Sequence, residues 1–199
     1  MPRTTGRSIR PLAATAMLAA VSCVLFLFQI GTPLTPGYLK LDLSDLPALL
    51  ASMTFGAPYG VLVCLVKNAV GLLHSMTSGV GELSNFVLSS AFVLTAGLLY
   101  RRRRTLKAAV VGALLGAAVA AVVSVPSNYY LVYPIYGKVM PMEAIMGMYQ
   151  AIVPRIEKLW QALWIFNAPF TFAKGLLCAL VTLWIYEPLQ PLLVGDRHN

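Results

Sequence analysis

The chain has 199 residues, of which 58% are hydrophobic and only 11% are charged, and its formal net charge at pH 7 is +8. Soluble domains contain about 25% charged residues, so this composition excludes an ordinary water-soluble fold and predicts a helical membrane protein. The basic residues flank apolar runs instead of lining one solvated face, which argues against nucleic-acid binding and favours a role in membrane orientation.

The first apolar run covers residues 11–30 and follows a cluster of three arginines. A secretory signal begins in the same way, but this run is about 20 residues long, enough for a membrane span. It leads into Gly31 without a clear small-residue cleavage site. We therefore predict a retained transmembrane helix.

Small residues at four-residue spacing mark two predicted helices. Ala16 and Ala20 form such a face in the first helix, and Gly112, Gly116 and Ala120 form another near residues 106–126. Faces of this kind allow helices to approach closely. We expect the second face to pack internally, whereas Ala16 and Ala20 meet either this chain or a partner subunit.

The next apolar run, residues 46–75, is interrupted at residues 56–60 by Gly-Ala-Pro-Tyr-Gly, a cluster typical of turns. The N-terminal arginines and the cluster Arg101–Arg104 should both be cytoplasmic, so the chain must cross the membrane an even number of times between them. Splitting the run into helices 45–56 and 58–75 satisfies this condition. The first half would be only about 18 Å long, so it must pack inside the bundle or meet a loop that enters the membrane.

Three further helices are predicted at 82–103, 106–126 and 160–187. The predicted fold is thus all-α: a polytopic six-helix bundle with both termini cytoplasmic. The membrane domain covers residues 11–190, between a basic segment at 1–10 and a tail at 191–199.

This topology separates the charges outside the spans. The inner side has nine basic and two acidic residues, a net +7, and the outer side has four basic and five acidic residues, a net −1. Asp42 and Asp45 are among the outer acids. Segments 31–44 and 127–159 also lie outside, and residues 141–150, which begin with proline, are predicted to form a short helix there.

Several classes of protein are disfavoured. The chain has no phosphate-binding loop for ATP hydrolysis, no hydrolase motif and no predicted pair of intramembrane carboxylates, so neither an enzyme nor an ion-coupled transporter is favoured. Cys23, Cys64 and Cys178 are far apart and lie within apolar runs, which indicates neither a disulfide framework nor a metal site.

Two lysines, Lys67 and Lys174, fall inside predicted spans. An intramembrane lysine costs roughly 2.5–3.5 kcal/mol on insertion scales and is a functional-site candidate by default. Lys174 is near the middle of its helix, which favours a ligand contact over a lysine bonded only to helix carbonyls. For Lys67 the two alternatives stay open.

Polar residues surround Lys174 in the sequence. Asn167, Thr171 and Lys174 share one helix stripe, and Asn128 follows the predicted outer end of the fifth helix. Such a set indicates a binding pocket, although polar residues also join helices. Aromatic side chains are available either to stack on a planar ligand or to serve as ordinary packing and membrane-interface residues: Trp160, Trp164, Phe166, Phe170, Tyr129, Tyr130 and Tyr133.

An ordered set of short stretches carries a family resemblance. They are LKLDLSDLPALL (39–50), FGAPYG (55–60), VKN (66–68), SGVGELSNF (78–86), LYRRR (99–103) and APFTFAKGL (168–176). Together they resemble the riboflavin-binding S component (RibU type) of energy-coupling-factor (ECF) transporters. The resemblance covers about residues 11–190.

The resemblance implies a multi-pass substrate-capture subunit in the bacterial cytoplasmic membrane. Riboflavin would be its transported substrate and not a cofactor. Its partners would be a separate transmembrane coupling subunit and two cytoplasmic ATPases. This division of labour agrees with the missing ATP-hydrolysis motif.

The resemblance also implies site residues. Flavin-ring contacts would fall on Asn128, Thr171 and Lys174, and the loop formed by Leu39, Lys40 and Leu41 would cover the pocket from outside. The family pattern Pro-Phe-Asn-x-x-Lys has threonine here at position 171, and Asn167, one turn earlier, is a candidate to supply the missing amide. An S component for another vitamin and a non-transporting membrane scaffold remain as alternatives.

Overall fold

The computed structural model describes residues 9–31, 35–36, 39–75, 77–138 and 141–194, with side chains described as far as Ile185. Its helices, numbered in chain order, are α1 (Ile9–Leu27), α2 (Asp45–Thr54), α3 (Ala57–Gly71), α4 (Val80–Arg103), α5 (Leu106–Ser127), α6 (Tyr133–Tyr136), α7 (Met142–Gln150), α8 (Leu159–Ala162) and α9 (Ala168–Val194). A 3-10 turn at Leu72–His74 extends α3, and π-helical turns at Asn128–Val132 and Leu163–Asn167 join α5 to α6 and α8 to α9.

Five helical segments of the described chain are long and apolar enough to cross a membrane. They are Ile9–Leu27, Ala57–His74, Val80–Arg103, Leu106–Tyr136 and Leu159–Ile185. The prediction of an all-α membrane protein is therefore confirmed. The short helix between the first two segments, α2, has ten residues, and all nine from Asp45 to Met53 are buried.

Small residues let α2 pack between its neighbours. A Cβ atom added to Gly60 of α3 would lie 2.6 Å from the Cβ of Ser52, and one added to Gly97 of α4 would lie 2.0 Å from the Oγ of Ser52. That Oγ donates a hydrogen bond to the Val93 carbonyl at 2.6 Å. The centre of the short helix is thus held by close backbone approach on two sides.

The small-residue face of α5 also packs inside the protein, as predicted. A Cβ on Gly116 would lie 2.6 Å from the Phe92 carbonyl oxygen, and one on Gly112 would lie 2.9 Å from the Ala96 carbonyl oxygen. By contrast, Ala16 and Ala20 of α1 are exposed in the isolated chain. This leaves their face available to lipid or to another subunit.

The predicted end of the fifth helix at residue 126 was wrong. Pro126 lies inside the helix, which continues to Tyr136 through the π-helical turn at Asn128–Val132. Proline removes one backbone donor and crowds the preceding turn, and a wider turn just after it lets the helix continue. The polar residue Asn128 therefore lies within a continuous helix and not in a loop.

The segment before α2 contains a minimal hairpin that the sequence did not predict. Strands β1 (Ile30–Gly31) and β2 (Lys40–Leu41) pair antiparallel, with Gly31 opposite Lys40 and Ile30 opposite Leu41. This pairing ties the segment after β2 to the end of α1. The segment from Leu39 to Ser44 is thereby directed back toward the bundle.

Candidate ligand-binding cavity

A cavity of about 560 Å³ lies at one end of the bundle. Residues near the C-terminal ends of α1, α3 and α5 and near the N-terminal ends of α4 and α9 line it. These ends meet on the side of the connections that contain segments 31–44 and 127–159. Small-molecule sites have volumes of about 300–1,000 Å³, so the cavity suits one such ligand.

Most of the predicted substrate-binding residues line this cavity, namely Asn128, Asn167, Thr171, Lys174, Leu39 and Lys40. Leu41 is partly buried outside the lining, and Lys67 is fully buried behind it. The helix α7 adds Ile145 and Met148 from the connecting segment. The predicted stripe on the last helix and the predicted covering loop thus face the same space.

The side chain of Asn128 is fixed by neighbours on two helices. Its Nδ2 donates to the Ser124 carbonyl at 2.7 Å, and its Oδ1 accepts from the Ser84 hydroxyl at 2.9 Å. The amide retains one further N–H and one further lone pair, because each amide group has two donors and two acceptor positions. Asn128 is therefore a pre-oriented polar group in the cavity wall.

The side chain of Asn167 is held in a similar way at the end of the second π-helical turn. Its Oδ1 accepts a hydrogen bond from the Tyr149 hydroxyl at 2.8 Å, and that hydroxyl also bonds to the hydroxyl of Tyr133. Tyr149 belongs to α7 and is fully buried. This tyrosine–asparagine network joins α7 to the wall of the cavity.

The ammonium group of Lys174 is directed at carboxylate and amide oxygens, not at helix carbonyls. Its Nζ donates to Asp42 Oδ2 at 3.0 Å and to Asn85 Oδ1 at 3.1 Å, and it lies 3.4 Å from Asp45 Oδ2. The residue is 8% exposed and lines the cavity. Lys174 thus forms an ion pair with the acids behind the cavity wall and also contributes part of its surface to the cavity.

Lys67 pairs with the same group of acids from the opposite side. Its Nζ donates to Ser44 Oγ at 2.7 Å and to Asp45 Oδ1, and lies 5.8 Å from the centre of the Phe26 ring. With an exposed fraction of 0%, the side chain makes no surface of the cavity. The structure thus shows a buried ion pair for Lys67, an arrangement that neither of the two predicted alternatives, a ligand contact or bonding to helix carbonyls, included.

Asp42 and Asp45, which the predicted topology counts among the outer acids, are buried and not exposed to solvent. They are 4% and 5% exposed, and they form the buried cluster with Lys67 and Lys174. In the prediction, Asp42 fell in segment 31–44 and Asp45 began helix 45–56, so neither was placed inside the bundle as a charge partner. A usable signal was present, because two lysines inside apolar spans require compensating charges, and Asp42 and Asp45 lie just before and at the start of the short helix.

The predicted stacking aromatics divide into three groups. Tyr133 and Phe170 line the cavity, and Phe166 is buried against the ring of Tyr149. The other four, Tyr129, Tyr130, Trp160 and Trp164, are exposed on the outside of the bundle. Aromatic residues that the prediction missed, Phe26, Phe92 and Tyr136, complete the lining.

Sequence reasoning also missed the polar residues that α4 contributes to the cavity, which are Glu82 near its start and then Ser84, Asn85 and Ser89. The last three lie at spacings of one and four residues, as expected for one face of a helix, so this periodicity was a usable signal. Among the described residues, no group of three His, Cys, Asp or Glu side chains is placed to hold a metal ion. The site is thus a pocket of polar amides, aromatic rings and internally paired charges.

Comparison with known proteins gives a consistent result. A family model described as "ECF transporter, substrate-specific component" matches residues 10–186. The chain is similar to the riboflavin transporter RibU of Staphylococcus aureus (strain TCH60), with 32% identity over 92% of this chain and 91% of that protein. It is also similar to the riboflavin transporter FmnP of Bacillus subtilis (strain 168), with 28% identity over 95% and 96% of the two chains.

A solved structure shows the same fold. It is described as "Structure and mechanism of the S component of a bacterial ECF transporter", with a TM-score of 0.74 and 32% sequence identity. The match covers 94% of this chain and 99% of the solved chain. The similarity therefore extends over the whole bundle, including the elements that surround the cavity.

Proposed function

The chain belongs to the substrate-specific components of ECF transporters, and on this premise we propose that it captures riboflavin for uptake by an ATP-driven partner complex. The observation that carries the proposal is the cavity, in which fixed amide groups and a lysine face aromatic and aliphatic walls. An isoalloxazine ring is planar and has carbonyl, ring-nitrogen and imide groups along its edge. Such a ligand requires apolar faces and a few polar groups in its plane.

In the proposed complex, the ring edge meets the polar groups of Asn128, Thr171 and Lys174, with Asn167 one turn nearer the outer end of its helix. The remaining donors of these groups bond to the flavin carbonyls and ring nitrogens. The ribityl chain points toward the polar mouth, where Lys40 and Leu39 of the hairpin segment cover it. Tyr133 and Phe170 supply aromatic surface beside the ring.

The proposed topology places the mouth of the cavity outside the bacterial cytoplasmic membrane. It has six membrane helices, counting the short buried α2, with both termini in the cytoplasm. The exposed basic residues Arg101–Arg104 at the α4–α5 connection support this orientation, because they lie at the end opposite the cavity. Riboflavin would thus enter from outside.

The proposed partners are a transmembrane coupling subunit and two cytoplasmic ATPases. The exposed face of α1 around Ala16 and Ala20 is the proposed contact with the coupling subunit, since small residues permit close helix approach. The tight internal packing of α5 leaves its own small-residue face unavailable for this role. Reorientation against the partner would then release the ligand inside.

Binding of riboflavin to purified protein tests this function. Protein stripped of ligand should quench riboflavin fluorescence at a near-stoichiometric ratio, and excess thiamine or biotin should not compete. Binding of another vitamin without binding of riboflavin would contradict the substrate assignment but would retain the family.

Two matched threonines on α9 test the proposed pose. Thr171 lines the cavity, whereas Thr182 is buried elsewhere and its hydroxyl has no hydrogen-bond partner. Thr171→Val removes one hydroxyl and should weaken riboflavin binding roughly 2- to 12-fold, the range for one neutral hydrogen bond. Thr182→Val should leave affinity unchanged, and equal effects of the two changes would remove Thr171 from the site.

A further inference from the structure

The buried cluster behind the cavity contains two acids and two lysines whose formal charges cancel. Asp42, Asp45, Lys67 and Lys174 are each less than one-tenth exposed. Lys174 Nζ lies 3.0 Å from Asp42 and 3.4 Å from Asp45, and Lys67 pairs with Asp45 on its other side. Asp45 thus bridges the two lysines, and Asp42 supplies the second negative charge.

Three of the four charged residues meet the ligand space directly. Asp42, Asp45 and Lys174 line the cavity, together with Asn85, whose Oδ1 accepts from Lys174. The other basic or acidic residues of the lining are Lys40, His74 and Glu82, which belong to the hairpin, to the turn that extends α3 and to the start of α4. Glu82 accepts hydrogen bonds there from Ser75 and Thr77.

Because the cluster carries no net formal charge, it affects which charge state of a bound ring is favoured. Lys174 offers a donor to the ligand, but its positive charge is already balanced by Asp42 and Asp45. Loss of either carboxylate would leave one uncompensated positive charge in a low-dielectric wall, where charges interact far more strongly than in water. Such a wall would favour an anionic ligand over a neutral one.

We propose that Asp42 and Asp45 are specificity-determining and positioning residues. They aim the Lys174 ammonium group and keep the wall of the cavity neutral. The site thereby selects the uncharged oxidised flavin ring over anionic ring forms. This inference rests on the proposed riboflavin function. It assigns the acids a role beyond stability, since the charge balance and the position of the donor both depend on them.

The reduction potential of bound riboflavin measures this selection directly. Reduction of the ring by dithionite adds two electrons and one proton and gives a monoanion at neutral pH, so nearby charge alters the potential of the bound flavin. Asp42→Asn removes one negative charge at nearly constant shape. This variant should shift the reduction potential of bound riboflavin to more positive values. It should also raise the ratio of the affinity for anionic flavin to the affinity for neutral flavin about tenfold, the effect of a unit charge about 10 Å away at an effective dielectric constant near 20.

Asn85→Asp provides the opposite perturbation. The new carboxylate would occupy the position where Oδ1 already accepts from Lys174 at 3.1 Å and from the Ser89 hydroxyl at 3.3 Å. It should shift the potential of bound riboflavin to more negative values. Opposite shifts from the two variants cannot result from a general loosening of the site, which would weaken both oxidation states.

Glu143→Gln is the matched control, because it removes an exposed carboxylate of α7 that does not line the cavity. The control should leave the potential of bound riboflavin at the wild-type value. Shifts in one direction for Asp42→Asn and Asn85→Asp, no shift in either, or an equal shift in the control would overturn the inference. If Asp42→Asn does not fold, a positive shift or no shift with Asn85→Asp still overturns the inference.

The wild-type measurement separates this inference from the function on which it rests. Wild-type protein that binds no riboflavin overturns the proposed function and the inference with it. Wild-type protein that binds riboflavin, with variants whose potentials do not move, overturns the inference alone.

Discussion

Replacing Lys174 by methionine removes the cation that Asp42 contacts at 3.0 Å while retaining the length of the side chain. The Asp42 carboxylate would then be 4% exposed without its nearest positive charge, although the Ser44 backbone N–H still donates to it at 2.9 Å. Removing one partner of a buried ion pair costs about 3–5 kcal/mol. On the scale for domains of 150–250 residues, this loss corresponds to a decrease in Tm of roughly 6–20 °C.

The double variant Lys174→Met, Asp42→Asn separates stability from ligand binding. It leaves Lys67 paired with Asp45 and removes the unpaired carboxylate, so most of the lost Tm should return. Riboflavin affinity should not return, because the donor at position 174 is still absent, and it should remain about 10- to 1,000-fold weaker than in the wild type.

Thermal unfolding of detergent-purified protein and fluorescence titration with riboflavin measure the two quantities. A single variant with wild-type Tm, or a double variant no more stable than the single one, would refute the ion-pair argument. Recovery of riboflavin affinity in the double variant would show that Lys174 acts only through Asp42.

Three further predictions concern topology, partner contact and packing. After replacement of the native cysteines by alanine, Lys158→Cys should react with an impermeant thiol reagent added outside cells and Thr105→Cys should not; both positions are exposed. Ser44, in the predicted outer segment 31–44, is fully buried and therefore unsuited to labelling. The reverse pattern would invert the topology. Ala16→Leu or Ala20→Leu should preserve riboflavin binding by the isolated subunit but impair uptake in cells, and normal uptake would exclude this face as the partner contact. Gly97→Ala should lower the free energy of unfolding by about 1–3 kcal/mol, because the new Cβ would lie 2.0 Å from the Oγ of Ser52. The control Gly147→Ala, whose Cβ would have nothing within 4 Å, should not destabilise the fold. Equal stabilities of the two variants would contradict the packing of α2.

Hydrophobic runs and turn-forming residues were enough to predict most of the helices. The interruption at residues 56–60 correctly separated α2 from α3, and the short length of α2 indicated that it cannot span the membrane by itself. The fifth helix was predicted to end at residue 126, where its apolar run ends, but the helix continues. Proline commonly breaks a helix, whereas here a π-helical turn follows Pro126 and the helix goes on. Local sequence does not distinguish these two outcomes, since the choice depends on how neighbouring helices pack.

The polar stripe on α9 was predictable from its spacing, and Asn167, Thr171 and Lys174 do line one cavity. The partners of Lys174 could not be predicted from spacing, because Asp42 is 132 residues away in the chain and is brought near only by the tertiary fold. The usable signal was charge balance within the membrane. Two buried lysines, Lys67 and Lys174, require two acidic partners, and Asp42 and Asp45 are the pair of acids beside the short helix.

The distance in sequence between Asp42 and Lys174 also determines when the site can form during synthesis. Asp42, Asp45 and Lys67 emerge early and can pair within the first three helices, where Lys67 contacts Asp45. That early group carries one excess negative charge until α9, the last long helix, enters the bundle with Lys174. Insertion of α9 thus neutralises the group and supplies the final wall of the cavity in one step. A nascent chain that ends before Lys174 would therefore leave Asp42 without its positive partner, while Asp45 could still pair with Lys67.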